Sequence, residues 1–356
     1  MPSLAEVLHE HLGEYLRTVK GGLSAAQLAA LGAILRCHSP QCGGSIYRCE
    51  HCAKPHFIYH GCGNRACPQC GHQHTQRWIQ RQCQRLLPLD YFMVTFTVPE
   101  ALRGLFLAQP KILIDLLFAQ SSGALAQIAA QPKHLNGRLG MIGVLHTWSR
   151  QLIYHPHVHY VVPAIALSHD GTLNAPAKKD YLLPVEALKA RYRKRMREAL
   201  SQQHPALAAQ LPSSVWTKGW VVNITSVGKG DCALKYLAQY VFKTALGSKR
   251  ILSNQNGRVS FSYKDSATAQ KKVCTLSAME FIRRFLQHVL PKGLRRVRTF
   301  GWLSPAANKS LERVCAILDS LQACRPAPTP QPAQVPCPEC GCVMRLIQVL
   351  PRGPPS

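Results

Sequence analysis

A chain of 356 residues with 46% hydrophobic content can hold two or three compact cores, which excludes a disordered chain. Lysine and arginine number 43 against 17 aspartate and glutamate, a formal charge of +26 that calls for a polyanionic partner. The basic residues are dispersed, and no run of about 18 apolar residues, signal peptide or lipidation motif is evident, so nucleic acid is favoured over a membrane surface.

Residues 1 to 36 read as two short helices, "LAEVLHEHLGEYLRTV" and "LSAAQLAALGAILR", the second with Ser24 as N-cap. Cysteines follow. The chain has 15, an odd number grouped in CxxC pairs without an export signal, which speaks for zinc in a reducing compartment rather than a disulfide framework. Cys49-x2-Cys52 and, fourteen residues on, Cys67-x2-Cys70 offer four thiolates for one closed tetrahedral site. Cys37, Cys42 and Cys62 lie close by, either as ligands of a second ion or alternatives in the first, or as unligated buried thiols.

From Tyr91 onward strands and helices alternate: "YFMVTFTVP", then the helix "PKILIDLLFAQSSGALAQIAAQ", then the strands "GRLGMIGVLHTW" and "HPHVHYVVPAIAL". The basic helix "PVEALKARYRKRMREALSQQH", the strand "GWVVNITSVG" and the helix "DCALKYLAQYVFKTAL" complete a β-α-β-β-α-β-α order. That order predicts an α+β core, a mainly antiparallel ferredoxin-like sheet with helices on one face. His155, His157 and His159 sit at every second position, so a strand projects all three from one face. Burying several imidazoles requires a partner for each, and a divalent metal supplies one. If the hairpin closes near residue 151, His146 falls opposite the 155–157 region, although a slip of one residue would turn it away.

On the last helix, Tyr236 and Tyr240 are four residues apart and share a face, with Gln239 and Lys243 extending the polar stripe. The pair is either half-buried packing or, beside a metal and a held phosphodiester, a pair of nucleophiles. Lys243 either steadies a phosphate or stands in solvent. The densest basic runs are "RYRKRMR", with Arg191, Arg193, Lys194 and Arg195, and "KGLRRVR", with Arg295, Arg296 and Arg298. At least one of them is expected to contact DNA phosphates. Trp148, Trp216, Trp220 and Trp302 are expected in cores more than on bases. A Pro-rich stretch after Arg325 leads to Cys337-x2-Cys340 and Cys342, whose two or three thiols do not close a site alone; the tail either borrows ligands, from this chain or another, or stays flexible.

Several of these stretches together, in order over nearly the whole chain, resemble the two-tyrosine HUH transposases of rolling-circle insertion sequences, the IS91 group. They are "NRACPQCG", "VLHTWSRQLIYHPHVHYVVP", "LKYLAQYVFK", "FIRRFLQHVLPKGLRRVRTFGWL" and the terminal "CPECGCVMRL". The resemblance implies a single-strand DNA endonuclease and strand transferase with an HUH core preceded by a helical and cysteine-rich zinc-binding module. His157, Val158 and His159 match the histidine-hydrophobic-histidine pattern, so the two histidines would hold Mg²⁺ or Mn²⁺, with His155 supporting and His146, or alternatively Gln239, as third ligand. Tyr236 or Tyr240 would form a 5′-phosphotyrosine, with no ATP, and no P-loop GxxxxGK[ST] is present. The implied partners are single-stranded ends of the element, its target DNA and a host helicase, in the bacterial cytoplasm at the nucleoid. The implied domains are an N-terminal module at 1–88, the HUH core at 89–250, a basic helical extension at 251–325 and a linker with a cysteine-containing tail at 326–356. A replication initiator or relaxase of the same chemistry, and a zinc-dependent DNA-binding protein without catalysis, are the competing readings.

Overall fold

A computed structural model describes residues 2–70, 87, 89–229, 244–265, 268–320 and 334–353. Two N-terminal helices, α1 (Leu4–Thr18) and α2 (Ala25–Leu35), start on Ser3 and Ser24, whose hydroxyls accept backbone N–H bonds; at Ser24 the Gln27 side chain completes a capping box. Strands β1 (Gly44–Cys49) and β2 (Pro55–Tyr59) form a hairpin, and the tail strand β13 (Met344–Leu350) pairs antiparallel with the other edge of β1.

The centre of the molecule is an antiparallel sheet. Strand β3 (Asp90–Thr97) leads through helices α3 (Arg103–Ala108) and α4 (Pro110–Ala129) to the hairpin β4 (Arg138–Trp148) and β5 (Tyr154–Pro163). Two short strands, β6 (Ala166–Leu167) and β7 (Leu173–Asn174), extend the edge of β4; helices α5 (Val185–Gln203) and α6 (Pro205–Ala208) then lead to β8 (Val221–Lys229). The spatial order β4-β5-β3-β8 with this β-α-β-β-α-β connectivity is the ferredoxin-like arrangement, so the chain is an α+β protein.

Strand periodicity assigns each face its job. Phe92, Val94 and Phe96 on β3 and Val158, Tyr160 and Val162 on β5 form one core with Leu117 and Phe118 of α4 and Leu188 and Tyr192 of α5. Helix α4 is, by length and composition alone, apolar enough to cross a bilayer, contrary to the reading that no such run exists. It is mostly buried against the sheet, which makes it a core helix. On the opposite face Met93, Ile142, Val144 and Val161 are covered by Trp302 and by Val314 and Leu318 of helix α8 (Asn308–Ser320), at one end only.

Residues beyond 250 depart from the expected helical extension. Strands β9 (Ile251–Gln255), β10 (Arg258–Lys264) and β11 (Lys271–Ser277) form a separate antiparallel sheet, because "RVSFSYK" alternates apolar or aromatic with polar residues as a half-buried strand requires. Helix α7 (Ala278–Leu286) follows, and strand β12 (Val297–Gly301) pairs with β4. Phe261, Phe281 and Phe285 share one core with Leu8 of α1 and Leu31 and Ile34 of α2, so the two regions pack as a unit. Arg65 fastens the cysteine-rich segment to this unit by donating to the carbonyls of Leu290, Pro291 and Leu294 at 2.6–2.7 Å.

Candidate functional site

The hairpin between β4 and β5 sets the register on which the site depends. Ser149 N–H donates to the Ile153 carbonyl, Ser149 Oγ accepts from the Gln151 and Ile153 amides, and Leu152 adopts a left-handed φ of 61°. This turn places His146 directly opposite His157 and Val144 opposite His159, while Thr95 of β3 lies across from His159 on the other side. Side chains opposite one another in an antiparallel pair share a face. His146, His157 and His159 therefore converge, each offering a ring nitrogen within 4.8 Å of the others. Their ring centroids are 4.8–5.3 Å apart and the planes cross at 71–90°, so the rings do not stack on one another.

Each imidazole is held from behind. His157 Nδ1 lies 2.6 Å from the His155 carbonyl, which can only accept, so this nitrogen carries the proton and Nε2 keeps its lone pair. His159 Nδ1 is 2.8 Å from Thr95 Oγ1, which leaves its Nε2 as the outward nitrogen too. The buried His146 ring stacks on Trp148 at 4.6 Å, and the Arg296 guanidinium lies over the Trp148 ring at 5.2 Å. Burial pushes His157 down to about 4, keeping it neutral, the protonation state a metal ligand requires. His155 lies beside His157, centroids 5.2 Å apart, but is outside the converging set, and burial also lowers its pKa.

The imidazoles line a cavity of about 470 Å³ whose other walls include Arg150, Arg250, Tyr263, Lys264 and Asp265. Arg250 is fixed by donating to the carbonyls of Ser262, Ala245 and Arg150. Arg150 comes from the β4–β5 turn itself, within the quoted stretch "VLHTWSRQLIYHPHVHYVVP", whereas no sequence motif marks Arg250, Tyr263, Lys264 or Asp265, which reach the histidines from the β9–β10 region. Tyr236, Tyr240, Gln239 and Lys243 lie outside the described residues.

The cysteine pairing expected from sequence is corrected. Cys67 and Cys70 join Cys37 and Cys62, with sulfur separations of 3.5 Å for Cys37–Cys70 and 3.6 Å for Cys62–Cys70 and Cys37–Cys67. Four thiolates at about 2.3 Å from a tetrahedral zinc would stand about 3.8 Å apart, so this set fits the ion. Cys49 and Cys52 instead meet Cys337 and Cys340, because β13 hydrogen-bonds along β1 and delivers the tail to that knuckle.

The basic runs are also sorted by their contacts. Arg298 forms an ion pair with Asp115 and covers the Phe118 ring at 4.3 Å, Arg195 packs on α4 where a Cβ at Gly123 would lie 2.4 Å from its Nη2, and Lys194 stands 3.7 Å from Glu198. Arg296 braces Trp148. Arg295 is exposed, and Arg191 and Arg193 are half-buried. Of the tryptophans, Trp220 and Trp302 are core residues, Trp216 stacks on Trp220 at 5.7 Å, and Trp148 supports His146.

A strongly basic α+β chain with an imidazole triad in a cleft and two clusters of thiols is, by class, a metal-binding protein suited to nucleic acid. Residues 140–310 match a family described as "Putative transposase", and residues 7–98 match one described as "Transposase zinc-binding domain". A protein from Sinorhizobium fredii named "Putative transposase y4qJ" is 31% identical over 351 residues, covering 94% of this chain and 88% of the relative. The "Transposase for insertion sequence element IS801" from Pseudomonas savastanoi pv. phaseolicola is 30% identical over 336 residues, covering 88% of this chain and 78% of the relative. The chain belongs to the IS91 family of insertion-sequence transposases, and its N-terminal region is a zinc-binding domain.

Proposed function

We propose that this transposase is a metal-dependent single-strand DNA endonuclease and strand transferase that works through a 5′-phosphotyrosine. The observation that carries the reading is the convergence of His146, His157 and His159 at a basic cleft. Mg²⁺ or Mn²⁺ bound by the three imidazoles would supply Lewis-acid polarisation of the scissile phosphate. Imidazole suits Mn²⁺ better than the harder Mg²⁺. The chain's own residues do the rest. His155 and Thr95 orient the rings of His157 and His159, and Arg150, Arg250 and Lys264 offer positive charge to the phosphodiester.

Tyr236 or Tyr240 is the nucleophile in this reading: the phenolate oxygen bonds to phosphorus, the bond to the 3′ oxygen breaks, and that oxygen leaves as a 3′-hydroxyl. The phosphodiester energy is retained in the new bond, so rejoining needs no nucleotide. The chain leaves β8 at Lys229 beside Asp90 and re-enters the described residues at Thr244, two residues before Leu246, which packs near Leu152 of the histidine hairpin. The enzyme would act on the element's single-stranded ends and target in the bacterial cytoplasm, at the nucleoid, with strand separation supplied by a host helicase. A replication initiator of the same chemistry is disfavoured because both relatives are named transposases.

Incubating the protein with end-labelled single-stranded DNA of the element terminus and Mn²⁺ is expected to give a covalent adduct that survives denaturing electrophoresis. Binding without any adduct would overturn the catalytic reading in favour of a DNA-binding protein. Thr95→Val removes the oxygen behind His159 and is expected to weaken Mn²⁺ binding about 10- to 100-fold in calorimetric titration.

A further inference from the structure

The thiols of Cys49, Cys52, Cys337 and Cys340 all lie within 4.8 Å of one another, with Cys49–Cys340 at 3.4 Å and Cys52–Cys337 at 3.7 Å. A disulfide requires about 2.05 Å, whereas a tetrahedron of thiolates around zinc has edges of about 3.8 Å. The two halves are built alike. In each Cys-x2-Cys turn the first cysteine's N–H donates to the carbonyl five residues on: Cys49 to Lys54 at 3.1 Å and Cys337 to Cys342 at 2.8 Å. The residue after the second cysteine is left-handed in each, Ala53 at φ 56° and Gly341 at φ 74°. Alanine rarely adopts that conformation, so the knuckle imposes it. Two equivalent knuckles facing each other make a closed structural metal site, and they come from opposite ends of the described chain.

The surroundings fit thiolates. His56 Nε2 lies 3.4 Å from Cys337 Sγ, and Lys54 pairs with Glu339 across the two knuckles. His51, Cys340 and Cys342 also converge, but they form a set of three that shares Cys340, whereas the four-thiol set is complete. The sheet built on these knuckles cannot hold itself together by packing. Most of β13 and β2 is exposed, and the local core consists of little more than Cys49, Cys337 and Met344. A three-stranded sheet with so small a buried face needs another source of stability.

We propose that Cys49, Cys52, Cys337 and Cys340 bind a second zinc ion, separate from that of Cys37, Cys62, Cys67 and Cys70, and that this ion staples residues 334–353 onto the zinc-binding domain. The tail lies outside both matched family regions. Zinc here closes a loop of 285 residues, and its binding energy is the folding energy of β13. The proposal is independent of the strand-transfer chemistry.

Metal content and hydrogen exchange of the full chain test it, in a His157→Ala/His159→Ala background so that the imidazoles hold no zinc. The expected result is two zinc ions per chain by native mass spectrometry. Cys337→Ser/Cys340→Ser should bind one, and the amides of residues 344–350 should lose protection while those of 278–286 keep theirs. Cys49→Ser/Cys52→Ser should produce the same count and the same loss of protection in β13. A parent count of one overturns the proposal however the variants fold. So does either double variant that retains two ions or a protected β13.

Discussion

Replacing His157 and His159 together by alanine is expected to lower Mn²⁺-dependent cleavage of single-stranded DNA by at least about 10³-fold. A metal polarising a phosphoryl oxygen is worth several kcal/mol of transition-state stabilisation, and about 4 kcal/mol corresponds to that factor. Both side chains line the cleft and belong to none of the hydrophobic core clusters, so the fold should survive their truncation. Steady-state cleavage rates, Mn²⁺ titration and far-ultraviolet circular dichroism separate loss of chemistry from loss of structure. Cleavage within tenfold of the parent enzyme, with the fold intact, would remove the imidazole triad from the mechanism. Comparing His146→Ala with Gln239→Ala in the same assay assigns the third ligand. The position opposite His157 and the stacking of Trp148 and Arg296 behind the ring predict the larger loss for His146.

The features that could be read from sequence are those encoded at short range. The β-branched and aromatic run "YFMVTFTVP" and the alternating histidines of "HPHVHYVVP" marked strands β3 and β5, and the N-terminal helices, the second capped by Ser24, were equally local. Cysteine pairing was not local. A Cys-x2-Cys knuckle looks the same whichever partner it takes, and the choice was made by β13 adding to β1 across nearly the whole chain. The surroundings of the basic runs were hidden for a related reason. Arg298 and Arg195 read as candidates for DNA phosphates, and Asp115, Phe118 and Gly123 on α4 lie against them, contacts no pattern within either run could announce. Arg250 and Lys264 escaped because they meet the histidines only when β9–β11 folds against the β4–β5 turn that carries Arg150.

Removing both phenolic hydroxyls, in Tyr236→Phe/Tyr240→Phe, is expected to abolish the covalent DNA adduct, lowering its formation by at least about 10⁴-fold while leaving DNA affinity nearly unchanged. Phenylalanine keeps the ring and its packing but has no oxygen to attack phosphorus, so the loss is confined to chemistry. The single variants divide the labour. If the phenols are interchangeable, Tyr236→Phe and Tyr240→Phe each still cleave once, giving an adduct on the remaining tyrosine that peptide mapping identifies. Neither should complete strand transfer between two cleaved ends, because the second end needs a nucleophile while the first is still occupied. Loss of the adduct in only one single variant would instead make that tyrosine the leading nucleophile. Adduct formation that persists in the double variant would place the covalent bond on another side chain, with Tyr263 in the cavity wall the first to examine.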